Sequence, residues 1–327
     1  MLMHLAGAEN WHDHLLEHQC PYQLYSFFYM RSAALKHTPK MTRMFNDLRQ
    51  ARKLGYRFIL DSGAFTFQQA AMKVKEGGEK LPGPEEYFEQ YVQFLNDTWD
   101  IWHIIIEFDV DGFQEPGGRL WTKDDVDERT DSLLDDPRFG TKIMPVYHTS
   151  RGEQWLTDWL SDLRSPYVAY ASGNQGSAEK VIGLSHTYGK WIHGLAQASV
   201  NTDLRYQTWD SVDSSTWITA EKYGRTMLFH NGKLIILDKD HKAERANYRE
   251  WYKARGLDLK KILADDLHEN RLAATYSWRE ISAHLAAAAK ARTKGKAPYL
   301  AQYLFDSGKM PSYHPYLRHL EKQESGQ

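Results

Sequence analysis

Along the chain, short apolar runs alternate with longer stretches in which apolar residues recur every three or four positions. Compact runs bounded by turn residues read as buried strands, and the longer stretches read as amphipathic helices. The strand candidates are 24–30, 57–60, 104–108, 142–147, 167–171 and 191–195, with a short one at Ser211-Val212 and a further one at 3–6. Between them, Thr38-Pro39 reads as a cap followed by proline at the first helical position. Met41, Met44, Phe45 and Leu48 then share one face until Gly55 stops the helix. Pro84 opens a second helix carrying Tyr87, Tyr91, Phe94 and Leu95, and Trp155, Leu156, Trp159, Leu160 and Leu163 mark a third. These aromatic stripes at helical spacing read as core.

Strands that alternate with helices predict a parallel sheet. The expected fold class is α/β, a (β/α)8 barrel of the TIM type with a helical C-terminal extension. A chain of 327 residues fits one such barrel with insertions. The pattern changes at 225–237, where two strands flank His230-Asn231-Gly232 and Asn-Gly is a strong hairpin signal. After Lys239 the chain turns helical and charged. The expected division is therefore a barrel catalytic region over 1–238 and a helical part over 239–327, packed on the barrel and contacting nucleic acid. Gly77-Gly78-Glu79-Lys80-Leu81-Pro82-Gly83 is rich in breakers and reads equally as a lid or as a plain surface connection. Lys290, Arg292, Lys294 and Lys296, followed by Tyr299 and Tyr303, read as a solvated helix end or as a phosphate-contacting patch.

Composition narrows the classes. Hydrophobic residues at 42% are ample for a large core, so disorder is confined to the ends. A formal charge of −2 leaves nucleic-acid contact to a local basic patch. The single cysteine, Cys20, excludes an internal disulfide framework and any thiolate-rich zinc site. No basic leader opens the chain and no stretch approaches a membrane span. The expectation is a soluble, cytoplasmic protein without membrane contact.

Polar residues recur where predicted strands end. In Leu60-Asp61-Ser62-Gly63-Ala64-Phe65 an apolar run stops at an acid, a hydroxyl and a glycine that lets backbone approach a ligand. A helix cap by Asp61 or Ser62 is the other reading of that stretch. Asp109 follows the run at 104–108, Tyr147 and His148 end another, Ser172-Gly173 ends the next, and Asp213 closes the last. In a parallel barrel all carboxyl ends share one rim, where catalytic groups collect. Several carboxylates at one rim suit chemistry at a sugar carbon, one attacking and another moving a proton.

These stretches resemble the signatures of the tRNA-guanine transglycosylase superfamily. Asp61-Ser62-Gly63-Ala64-Phe65 is similar to its Asp-Ser-Gly-Gly-Phe motif, with alanine for the second glycine. Phe108-Asp109 resembles its Phe-Asp-Glu segment, and His193-Gly194-Leu195-Ala196 a relaxed Met-Gly-Val-Gly strand. Asp213 stands at the position of the nucleophile. The resemblance runs over about 58–217. It implies a barrel enzyme, a pentosyltransferase that exchanges guanine in a nucleic acid for a 7-deazaguanine without a cofactor. Asp213 is then the nucleophile at C1′, with Asp210 its rival. Asp61 accepts the proton of the incoming base, and Asp109 pairs with the guanine edge. Further base contacts fall to Ser62, Gly63, Phe65, Tyr147, His148, Ser172, Gly173, His193 and Gly194. The family's tRNA enzymes hold a structural zinc through three cysteines and a histidine. Here Asp238, Asp240, His241 and His268 occupy that region, and no metal is expected. The lost cysteines and relaxed motifs resemble the 7-deazaguanine DNA transglycosylases of phages and bacterial modification clusters. The implied partners are DNA, alternatively tRNA, and a free 7-deazaguanine base. A homodimer, helper modification proteins and a non-catalytic subunit role stay open. If the chain is phage-encoded, its setting is the host cytoplasm. An extruded or single-stranded guanine is required in DNA, and Tyr206, Trp209 and Trp217 are candidates to line its pocket or to pack.

Overall fold

The computed structural model describes residues 1–73, 81–115, 118–171, 175–198 and 209–293. Its parallel strands are β1 (Leu2–Ala6), β2 (Tyr22–Ser26), β3 (Arg57–Asp61), β4 (Ile104–Ile106), β5 (Ile143–Met144), β6 (Val146–Tyr147), β7 (Tyr167–Tyr170), β8 (Trp191–Gly194) and β9 (Ser211–Ser214). They form one sheet in the order β5-β4-β3-β2-β1-β9-β8-β7-β6, a nearly closed barrel with surrounding helices, as the alternating pattern predicts. The two edge strands flank Pro145. Ile106 of β4 lies opposite Met144, and Val146 lies opposite Ala169 of β7, so one pass of chain turns from one neighbour to the other at a residue without an N–H. Taking β5 and β6 as one pass, the nine strands become eight, the number expected.

Helices α1 (His12–Glu17), α2 (Phe27–Leu35), α3 (Pro39–Lys53), α4 (Ala64–Met72), α5 (Pro84–Thr98), α6 (Lys123–Leu134), α7 (Glu153–Ser161) and α8 (Gln175–Thr187) connect the parallel strands. After β9 come α9 (Thr219–Tyr223), β10 (Thr226–His230), β11 (Lys233–Leu237), α10 (Lys242–Ala246), α11 (Arg249–Lys253), α12 (Leu259–Leu263) and α13 (Leu267–Thr293). No helix among the described residues is long and apolar enough to cross a membrane.

By contacts the chain divides into two compact units, Gln23–His193 and Met1–Tyr22 joined by the described residues from Gly194 on. In the first, α5 buries Tyr87, Tyr91, Phe94 and Leu95, the stripe read from the sequence. Phe27 meets Tyr87, Tyr91 and Phe94 at ring distances of 5.3, 5.2 and 5.0 Å. In the second, β1 and β9 pair in parallel, and α13 packs on β10 of the β10–β11 hairpin. Leu228, Leu237, Trp251, Tyr252, Ile262 and Ala273 form its apolar centre. The buried Arg245 donates to the carbonyls of Ile262, Gly224 and Leu237, satisfying chain ends that side chains leave open. The hairpin turn has Asn231 and Gly232 both at positive φ, 52° and 76°, the type I′ geometry that Asn-Gly favours.

Two expectations are corrected. The run at 24–30 is a strand only to Ser26. From Phe27 it is helical, because Phe27, Met30 and Ala34 fall on one buried face at helical spacing. Leu163 lies beyond α7 and is 95% exposed. Thr38 is the N-cap of α3 with Pro39 opening the helix, as read, although its hydroxyl makes no capping bond and is buried without a partner. Residues 77–80, 294, 296, 299 and 303 lie outside the described residues.

Candidate functional site

The turn after β3 is set by Gly63. Its φ is +75°, and an added Cβ would meet Phe28 Cβ at 2.6 Å and Ser26 Oγ at 2.9 Å. Both the conformation and the close approach exclude a side chain. Gly63 is itself the N-cap residue of α4, so neither Asp61 nor Ser62 occupies the cap position. Ser62 is fully buried. Its hydroxyl donates to Glu107 O at 2.8 Å, and its carbonyl accepts from Tyr87 Oη at 2.8 Å. The serine thus ties β3 to the chain after β4 and holds the turn, leaving Asp61 at the last position of the strand. Phe65, in the first turn of α4, is 72% exposed.

The chain after β4 carries three acids in alternation, Glu107, Asp109 and Asp111, and they meet a histidine and an arginine that follow β6. His148 Nε2 lies 3.0 Å from Asp109 Oδ2. Arg151, with 1% of its side chain exposed, donates to Glu107 Oε1 at 2.9 Å and forks onto Asp111 at 2.6 and 3.2 Å. The Trp155 ring covers its guanidinium at 4.5 Å. Glu107 also accepts from Thr130 Oγ1 at 2.7 Å and from Val146 N–H at 2.9 Å. That amide follows Pro145, so the Glu107 carboxylate serves as its acceptor where the strand changes neighbours.

The electrostatics follow from burial and these contacts. Burial raises the Glu107 pKa against the pull of Arg151, Thr130 and the Val146 amide. For Arg151 burial works toward deprotonation, but Glu107 and Asp111 outweigh it and hold the guanidinium charged. Burial likewise lowers His148, yet the hydrogen bond to Asp109 leaves its pKa above the ordinary histidine value. Burial pushes the Tyr91 hydroxyl well up, with Asp61, Tyr87 and Asp109 adding to it. Asp61 and Asp109 therefore both act on the one tyrosine, whose hydroxyl donates to Ile106 O at 2.9 Å. The strand ends of β3, β4 and β6 bring Asp61, Asp109 and His148 into one charged neighbourhood. Such a group can accept the N–H edge of a flat heterocycle and take up a proton.

Asp213, 7% exposed, belongs to β9, with His4 of β1 as its register partner. Its Oδ1 accepts the Ala196 N–H at 2.7 Å. Ala196 adopts φ +52°, a conformation costly for a residue with a Cβ. The strand read at 191–195 ends at Gly194, where a Cβ would meet Gln197 at 2.8 Å and Trp209 at 3.1 Å. Asp210 precedes β9, and its carbonyl accepts from Leu2 N–H at 2.8 Å, at the amino end of the β1–β9 pair.

Other expected contacts have other environments. Tyr147 lies with its ring stacked 5.9 Å from Trp155, within the packing of α7 against the strands. His193 is fully buried at the end of β8. Trp209 and Trp217 are buried, and Trp217 Nε1 donates to Ala6 O. Asp238 pairs with Arg225, and His268 Nδ1 takes Arg271. Ser172, Gly173 and Tyr206 lie outside the described residues. Sequence reading assigned nothing to Glu107, Asp111, Thr130 or Arg151. The available signal was Glu107 directly after Ile104-Ile105-Ile106, since a charge in a buried strand requires a partner.

Compared with known proteins, the chain matches no family model and no curated protein.

Proposed function

We propose that the protein exchanges guanine in DNA for a 7-deazaguanine through a covalent aspartyl-deoxyribose intermediate. The observation that carries this reading is the pair of acids at adjacent strand ends, Asp61 on the turn that Gly63 forces and Asp109 fixed by His148. A carboxylate held in this way accepts the ring N–H and exocyclic amine of a guanine edge together. The order of the motifs, from Asp61-Ser62-Gly63 through Phe108-Asp109 to Asp213, supplies the rest.

In the proposed reaction an Asp213 carboxylate oxygen attacks C1′ of an unstacked nucleotide. The bond from C1′ to guanine N9 breaks, and its electron pair leaves with the base. The 7-deazaguanine then enters, Asp61 takes the proton from its N9, and that nitrogen attacks C1′ as the aspartyl ester bond breaks. Two displacements give retention. Asp213 is preferred to Asp210 because Asp210 precedes β9 at the amino end of the pair, whereas barrel chemistry gathers at carboxyl ends. The Ala196 amide, donating to Oδ1 at 2.7 Å, fixes the direction of the Asp213 carboxylate.

Purified protein incubated with labelled guanine and either DNA or tRNA tests the proposal. Label is expected in DNA, and Asp213→Asn is expected to abolish both incorporation and any covalent adduct while retaining the wild-type melting temperature. Incorporation into tRNA alone would overturn the choice of polymer. Full activity in Asp213→Asn would move the nucleophile, with Asp210 the next residue to replace.

A further inference from the structure

The unit that carries β1 and β9 also contains a cleft of about 380 Å³ lined by Glu17, His18, Gln19, Arg255, Tyr276 and Arg279. Its size lies within the range of small-molecule sites. It opens where α1 ends, beside the chain after α11 and the middle of α13. The two arginines are employed differently. Arg255 forks onto Glu280 at 2.7 and 2.7 Å, donates to Trp251 O, and lies 3.9 Å over the Trp251 ring. Arg279 donates Nη1 to His18 O at 3.1 Å and lies 5.2 Å from the Tyr276 ring. Among the described residues that is its one hydrogen bond, and no carboxylate pairs with it.

Capping the end of α1 explains one donor of Arg279. A guanidinium has five, arranged as a fork that matches two oxygens of one oxyanion. The neighbouring cations are already paired, Arg255 with Glu280 and Arg271 with Glu221, the latter also lying 4.5 Å over the Trp11 ring. Burial lowers His18, and Arg279, His268 and Arg271 lower it further against Glu17. His14 is brought to about 4 by burial, with His18, Arg271 and His268 acting in the same direction. Both shifts favour the neutral imidazole, beside a guanidinium that makes no ion pair among the described residues, with the Glu17 carboxylate in the same lining. The Gln19 amide supplies a further N–H donor at the rim.

The geometry points to a binding site for a phosphate group in this cleft, with Arg279 as its principal ligand. The lining sets two guanidiniums against the one carboxylate of Glu17, so phosphate fits better than a cation, and better than an apolar group, which would desolvate all three. The phosphate belongs either to a free nucleotide or to a nucleic-acid backbone. The site stands independently of the proposed base exchange.

Isothermal titration calorimetry on the full chain, with pyrophosphate, a nucleoside monophosphate and a short single-stranded oligonucleotide as separate probes, tests it. Binding of at least one probe is expected, weakened by about tenfold or more in Arg279→Gln, as for loss of one charge-assisted contact. Uptake of the small probes identifies a free nucleotide as the source, and uptake of the oligonucleotide alone identifies the backbone. If Arg279→Gln does not fold, the side-chain Nε–H resonance of Arg279 in the wild type takes its place and is expected to move on titration with the bound probe. No binding of any probe, equal affinity in a folded Arg279→Gln, or an unmoved Arg279 resonance would overturn the proposal.

Discussion

Past β4, Asp109 takes the His148 ring at 3.0 Å, beside an arginine that joins Glu107 and Asp111. On β9, Asp213 accepts the backbone N–H of Ala196 at 2.7 Å. One carboxylate is held by a side chain from another strand end, and the other accepts from backbone. The difference matters for chemistry, because an imidazole partner can change its protonation with pH, whereas a backbone amide keeps one direction and one charge. In the proposed reaction Asp109 is the acid that holds the base and Asp213 the acid that attacks. The backbones differ as well. At the turn after β3 a glycine is forced by lack of space, whereas at 196 an alanine accepts the left-handed conformation with its methyl group in place.

The largest expected effect tests the charged side of this comparison. Arg151→Ala leaves Glu107 buried without its cation and Asp111 without its fork, and removes the group that covers the Trp155 ring. Breaking a buried pair by removing one partner costs about 3–5 kcal/mol. Urea denaturation is expected to show a loss of that order, part of it regained in Arg151→Met combined with Glu107→Gln. A loss below about 1 kcal/mol would mean that solvent reaches the pair, and the contrast with Asp213 would fail.

The backbone side comes next. Gly63→Ala places a Cβ 2.6 Å from Phe28 Cβ in an unfavourable conformation, and is expected to destabilise by about 2 kcal/mol or more. Ala196→Gly relieves the opposite situation and is expected to stabilise by about 1 kcal/mol or less. Thermal unfolding of the two variants should therefore move in opposite directions. Equal shifts of one sign would erase the distinction between the two turns.

Much of this frame was legible in the sequence because it is local. Asn231-Gly232 predicts a hairpin through the φ angles that those two residues tolerate, and the stripe from Tyr87 to Leu95 predicts a buried helix face through its spacing. Asp61-Ser62-Gly63 announces a strand end because an acid and a glycine interrupt an apolar run. What was not legible depends on partners far away in sequence. Glu107 and Arg151 are 44 residues apart, and neither is informative without the other. The Ser62 hydroxyl offers a local cap on sequence grounds, and its acceptor at Glu107 O, 45 residues on, decides against it. Phe27-Phe28-Tyr29-Met30 continues the apolar run of β2, and only the burial of Phe27, Met30 and Ala34 on one face marks it as helix.

The smallest expected effect is the most direct reading of Asp109. Its bond to His148 raises the histidine pKa in the folded protein above the ordinary value of 6.5. A group whose folded pKa is raised contributes stability that is fully present below its unfolded pKa and is lost as pH rises through the folded one. The window therefore opens at 6.5 and extends upward to the raised value. With 30% of the His148 side chain exposed, solvent screening holds the contribution to about 0.5 kcal/mol. Asp109→Asn keeps the shape and removes the charge. The His148 Cε1–H resonance, followed by NMR against pH, is expected to titrate at a lower pH in the variant than in the wild type, and the stability difference between the two should shrink as pH rises through that window. If Asp109 also holds the base edge, the same variant should lose binding of free 7-deazaguanine at every pH, including pH values at which His148 is neutral. Binding that instead followed the His148 titration would make the imidazolium, and not Asp109, the group that holds the base.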